Sequence, residues 1–185
     1  MKRQKGLILV GGARRNVGKT TMVCKLIEHF AKTESIVGLK FKTIYDGDTY
    51  FHGKESKQLF SEYLLTEEFN LDSVEDTGKM LRAGAQRAFL LRSKNEYLTE
   101  AFSFFLSKLQ ITDLIVCESN SLRKIIEPDL YLFIKDNLDP NMKPSAVELE
   151  KFASRVVYTN GVEHDLEVQQ LQIVNKEWLI FKGLA

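Results

Sequence analysis

The chain has 185 residues, close to the length of one domain, and 44% of them are hydrophobic, enough to build a core without disulfides or metals. Lys and Arg number 26 against 25 Asp and Glu, a formal net charge of +1 that excludes a strongly cationic nucleic-acid or membrane-surface protein. Two cysteines, Cys24 and Cys117, exclude a disulfide framework, and their apolar settings predict buried free thiols in a reducing compartment.

At the N-terminus Lys2, Arg3 and Lys5 precede the apolar run Leu7–Val10. That run is far shorter than the ~7–15 residues of a secretory signal. Nor does any stretch approach the ~18 apolar residues of a membrane span. The expected location is the cytoplasm, with neither a nucleic-acid nor a membrane partner. Gly6–Gly11 is continuously apolar, as a strand buried on both faces would be. Residues 19–32 carry Met22, Val23, Leu26, Ile27 and Phe30 at helical spacing. A second strand is predicted over 35–41, a polar loop over 43–53, and helices over 55–65 and 73–82. A strand over 87–91 precedes a helix over 96–109, whose Phe102, Phe104, Phe105 and Leu109 should face the core. Strands follow at 113–117, 129–134 and 155–158, a helix with proline in its first turn at 144–152, and a terminal hairpin at 171–174 and 178–181. Strand–helix alternation predicts an α/β fold of three layers, α/β/α, with a mostly parallel sheet. We read residues 1–185 as one domain with an insertion or lid at about 51–74.

The first strand runs into Gly11-Gly12-Ala13-Arg14-Arg15-Asn16-Val17-Gly18-Lys19-Thr20, where a helix begins. Backbone amides of such a loop and of the helix N-terminus can face a triphosphate without desolvated countercharges. Gly18 lets the backbone approach the phosphates, Lys19 places a charge at the β- and γ-phosphates, and the Thr20 hydroxyl can ligate Mg²⁺. Gly12, Arg14, Asn16, Val17, Gly18, Lys19, Thr20 and Thr21 form the expected nucleotide-holding set. The usual spacing would put glycine at 13, which is Ala13 here, with Gly12 one residue earlier. The competing reading is a glycine-rich strand–helix turn with a solvated lysine. In related partition and iron-transfer factors a second lysine sits early in the loop. Arg14 holds that position here and could face the nucleotide, a second subunit or solvent.

Other candidates lie at predicted strand ends, where open parallel sheets bind ligands. Lys40 closes the second strand, as a substrate-handling lysine does in dethiobiotin synthetase, or is simply exposed there. Asp46 and Asp48 flank Gly47 and could hold Mg²⁺, or form an acidic turn. Glu118 ends a buried apolar run, so its carboxylate needs Mg²⁺, a metal-bound water or Lys19. Ser119, Asn120 and Ser121 beside it could bond phosphate or substrate. Arg82 and Arg87 are candidates to bind an anion. Asn160 and Glu163 keep the spacing of a guanine-reading motif but lack its lysine and aspartate, and the competing reading is an Asn-Gly turn. Lys19, Lys40 and Glu118 are therefore the expected catalytic groups, and Thr20, Asp46, Asp48 and Glu118 the expected metal ligands.

Five segments together resemble the MobB family, P-loop nucleotide-binding proteins associated with molybdopterin–guanine dinucleotide biosynthesis. They are the loop through Thr21; Val37-Gly38-Leu39-Lys40; Asp46-x-Asp48; Asp76-Thr77 with Arg82-Ala83-Gly84-Ala85 and the strand after it; and Asp113 to Glu118. The chain departs from that family at Phe41–Tyr45, where the family has histidines. Ser119-Asn120-Ser121 replaces its glycine and aromatic, and the stretch between Asp48 and Asp76 is longer. The resemblance implies GTP or ATP binding with Mg²⁺, slow hydrolysis, a homodimer, and work beside a partner enzyme in molybdenum-cofactor assembly. The alternatives are an ATP-dependent small-molecule kinase or ligase resembling dethiobiotin synthetase, or a nucleotide-dependent switch.

Overall fold

Leu7, Ile8, Leu9 and Val10 are all fully buried, a burial pattern that fits a strand covered on both faces. They belong to β1 (Lys2–Gly12). The computed structural model describes residues 1–45, 62–139 and 141–181. After β1 come α1 (Lys19–Phe30), β2 (Ile36–Ile44), β3 (Tyr63–Glu68), α2 (Asp76–Arg82), β4 (Arg87–Lys94) and α3 (Leu98–Leu106). The chain continues through β5 (Leu114–Glu118), β6 (Ile126–Asp136), α4 (Pro144–Glu150), β7 (Arg155–Thr159), β8 (Leu171–Val174) and β9 (Glu177–Ile180). The first seven strands form one sheet in the order β3-β4-β2-β5-β1-β6-β7. Every neighbouring pair is parallel except β3, which runs antiparallel along β4.

Strand alternation separates the core into two layers. Ile8 and Val10 pack with Met22, Leu26 and Ile27 of α1 and with Met80 of α2. Leu7 and Leu9 pack on the opposite face with Phe102 and Phe105 of α3 and Leu149 of α4. The β8–β9 hairpin closes the first layer through Trp178, which is buried, meets Phe30 edge-on and donates its indole N–H to the Gly6 carbonyl at 3.1 Å.

Several expectations change. Residues 63–65 are not helical: they open β3, whose antiparallel pairing with β4 supplies backbone partners that a short apolar run cannot supply alone. Residues 55–61 lie outside the described residues, and part of the expected 51–74 insertion is thus an edge strand. Thr43 and Ile44 still belong to β2, paired with Ser93 and Lys94. Phe104 points partly to solvent, 38% exposed, while Phe102 and Phe105 are buried. The two arginines expected to bind an anion are occupied within the fold. Arg82 donates to the carbonyls of Leu71 and Ser73, at 2.5 and 2.7 Å. Arg87 forks onto both carboxylate oxygens of Glu67, at 2.6 and 2.7 Å. Of the cysteines, Cys117 is buried and Cys24 only half-buried.

Candidate nucleotide site

Parallel pairing brings the C-terminal ends of β1 and β5 beside the middle of β2: Lys40, expected to close that strand, is the fifth of its nine residues, because β2 runs on to Ile44 along β4. Val10 stands opposite Glu118, and Glu118 opposite Lys40. Between β1 and α1 the loop curls through Asn16 and Gly18, whose φ angles are +57° and +92°. Left-handed residues of this kind turn successive amides to one side, which suits an anion. The amides of Lys19, Thr20 and Thr21 find no acceptor among the described residues, and the first turn of α1 holds no acidic side chain.

The displaced glycine has a packing reason. A Cβ at Gly12 would come within 2.8 Å of Val17 Cγ1 and 3.1 Å of the Ile134 carbonyl. Ala13 is buried, donating its amide to Ile134 and accepting from the Lys143 amide. Asn120 clamps the loop, accepting the Gly12 amide at 2.8 Å and donating to the Gly12 carbonyl at 2.9 Å. Its amide side chain thus positions backbone. Ser119 likewise accepts the Leu122 amide at 3.2 Å, with its hydroxyl 3.2 Å from that of Ser121.

Glu118 is the centre of the charged cluster. Its side chain is 3% exposed; Oε1 is salt-bridged to the Lys40 ammonium, and Oε2 accepts the Thr20 hydroxyl at 2.7 Å. The expected Lys19 partner lies elsewhere: Lys19 Nζ donates to the Arg14 carbonyl at 2.7 Å. Burial lowers the pKa of Lys19, with the attraction of Glu118 opposing it. Lys40 also reaches Asp76 Oδ2 at 2.9 Å. Burial acts against the Lys40 charge, but Glu118 and Asp76 together outweigh it and raise its pKa. Asp76 feels burial in the opposite sense, and Lys40 and Lys79 bring its carboxyl down to about 2. Sequence reading noted Asp76 only within a resemblance. Its signal was an acidic residue in the first turn of the helix expected over 73–82.

Arg14 turns to the end of β6 and the segment after it, pairing with Asp136 at 2.5 Å and Asp139 at 3.4 Å. Asn160 caps its own turn, its Oδ1 accepting the Val162 and Glu163 amides at 3.0 and 2.8 Å. Asp46 and Asp48 lie outside the described residues. His164, which no motif singled out, is buried beneath the loop; a Cβ on Gly18 would stand 3.1 Å from its Nε2. Burial, then Lys25, lowers the pKa of His164. Burial raises the Cys24 thiol to about 11, away from the reactive range.

Lys19, Thr20, Lys40, Asp76 and Glu118 open onto a cleft of about 790 Å³ that runs from the loop along Lys40–Tyr45 and past Glu118–Ser121. No group of three His, Cys, Asp or Glu suited to a metal exists among the described residues. A cation beside Thr20 and Glu118 would thus need phosphate oxygens and water to complete its shell, as Mg²⁺ commonly has.

No family model matches the chain, and no curated protein sequence matches it. Among solved structures it is similar to LpxK from Aquifex aeolicus, an "apo" form in complex with ATP. The TM-score is 0.55 and the identity 18%, over 96% of this chain and 55% of that one, so the chain spans about half the length of that protein. The likeness, the mostly parallel seven-stranded sheet and the flanking helices show an α/β P-loop NTPase fold. Among the described residues no helix is long and apolar enough to cross a membrane.

Proposed function

We propose that this chain binds a nucleoside triphosphate with Mg²⁺ and hydrolyses it slowly. The observation that carries this reading is the convergence of Lys19, Thr20 and Glu118 at a loop whose helix-terminal amides are unspent. Lys19 would exchange the Arg14 carbonyl for the β- and γ-phosphates. Thr20 can offer an oxygen lone pair to Mg²⁺ while its hydrogen stays on Glu118. Mg²⁺, when bound, neutralises the β- and γ-phosphate oxygens. ATP is the nucleotide proposed first: Asn160 is spent on its own turn rather than free to read guanine.

Titration calorimetry on wild type and Lys19→Ala, with ATP and GTP analogues and Mg²⁺, tests the reading. The variant should keep its melting temperature and lose at least about tenfold in affinity, since a charge-assisted phosphate contact is worth roughly 1.5–3 kcal/mol. Equal affinity would overturn it. An accessory role in molybdenum-cofactor assembly rests on the segment resemblance and predicts hydrolysis stimulated by a partner enzyme. A second reading, a small-molecule kinase or ligase, is favoured by the cleft's extension beyond the loop along β2 to Tyr45. It predicts turnover that depends on an acceptor.

A further inference from the structure

Glu118 and Asp76 face one cation, and that cation belongs to the chain. Lys40 stands opposite Glu118 in the parallel register of β2 and β5, so its side chain enters the site from the strand beside the carboxylate. Its ammonium spans Glu118 Oε1 and Asp76 Oδ2, while Thr20 occupies Glu118 Oε2. The Lys40 side chain is 13% exposed and that of Glu118 3%, so little water screens the contact. Lys79 takes the other oxygen of Asp76 at 3.2 Å. Both carboxylates are thereby neutralised without any metal.

We infer that Lys40 is an internal stand-in for the divalent cation: it occupies the metal's carboxylate oxygens at rest, and only Mg²⁺ arriving with nucleotide releases it into the cleft. The inference rests on the nucleotide reading above and adds to it an order of events. A divalent cation drawn to the same carboxylates in this poorly screened site would repel the Lys40 ammonium strongly. Lys40 therefore yields when a doubly charged ion takes over the carboxylates. The cleft continues from Lys40 along β2, so the freed ammonium can follow it towards the terminal phosphate or an acceptor. Its departure also frees Asp76, the first residue of α2, from β2. While Lys40 holds the site, the fraction of molecules ready for metal is small, and apparent metal affinity is reduced by that fraction.

Two measurements test this. Wild-type protein labelled with ¹⁵N at lysine is observed by NMR alone, with adenosine 5′-(β,γ-imido)triphosphate in chelator, and with the same analogue plus Mg²⁺. The Lys40 ammonium, assigned through Lys40→Met, should be slow-exchanging in the first two states and solvent-like in the third. In parallel, the Mg²⁺ concentration giving half-maximal analogue binding is measured by calorimetry for wild type, Lys40→Met and Lys40→Arg. Lys40→Met should need at least about tenfold less Mg²⁺ than wild type, because the occupying charge is gone, and Lys40→Arg should stay near wild type. A bound analogue with an unchanged Lys40 signal after Mg²⁺ overturns the inference alone, as does an unchanged Mg²⁺ requirement in a folded Lys40→Met. No analogue binding with or without Mg²⁺ overturns the nucleotide reading and this inference with it. The wild-type spectrum decides the matter even if the methionine variant does not fold; the ammonium is then assigned through Lys40→Arg.

Discussion

Gly18 answers two demands at one position. Its φ of +92° lies where a side chain is strained, and the space a Cβ would need is taken by His164 Nε2 at 3.1 Å. Gly18→Ala should therefore cost about 1–2 kcal/mol of stability, read as a fall of roughly 2–4 °C in Tm per kcal/mol for a domain of this size. An unchanged Tm would mean that the loop relaxes without strain. Glu118 makes a different prediction, because its carboxylate is shared between a hydroxyl and an ammonium. Glu118→Gln keeps an oxygen for Thr20 and removes the charge. Hydrolysis per folded molecule should then fall by at least about tenfold, and nucleotide affinity by much less, if the group acts in the transition state. Turnover and calorimetric affinity measured on the same sample separate this outcome from a structural role, in which both survive together.

β3 is one of the two edge strands of the described sheet, half-buried along its whole length and fastened to β4 partly by Glu67 and Arg87. The forked hydrogen bond from Arg87 holds the Glu67 carboxyl below its usual range. A carboxylate whose folded pKa is depressed contributes stability above its unfolded pKa of about 4.3 and loses it as pH falls through the depressed value. Acidification below about pH 4 should thus lower the amide protection of β3 before that of β1, the interior strand. Glu67→Gln should remove this pH dependence. Hydrogen exchange resolved by strand checks it, and parallel loss of protection in β1 and β3 would show that the pair adds nothing to the edge. The misread helix at 63–65 has its cause at this scale. Tyr63-Leu64-Leu65 fits a helical or an extended period equally well, and what settles such a run is a neighbouring strand.

Across the whole molecule, the two core layers flank one seven-stranded sheet and the terminal hairpin, a two-stranded sheet of its own, packs into the first layer through Trp178, so the described residues should unfold together. The single tryptophan, Trp178, reports from the hairpin side of that core. Its fluorescence and the far-UV circular dichroism should lose native signal at the same denaturant concentration. Separate midpoints would divide the chain into two units. Trp178→Ala should cost about 3–5 kcal/mol and leave nucleotide affinity per folded molecule unchanged, since the indole meets Phe30 and Gly6 rather than the loop. The phosphate loop, the strand–helix alternation and the parallel sheet were all legible in the sequence by itself. Each depends on demands that act over a few residues: glycine where φ is positive, continuous apolar runs for doubly covered strands, a helical period for the layers above them. Only the tertiary structure decided the partners of the charged groups. Lys40 and Glu118 are 78 positions apart and Thr20 and Glu118 98, and they meet because strand order and register set the ends of β1 and β5 beside the middle of β2. The Asn120 clamp on Gly12, the turn of Arg14 towards Asp136 and the place of Asp76 beside Lys40 have the same origin. A side chain's nearest charge is set by which strand lies beside it, and no local pattern records that.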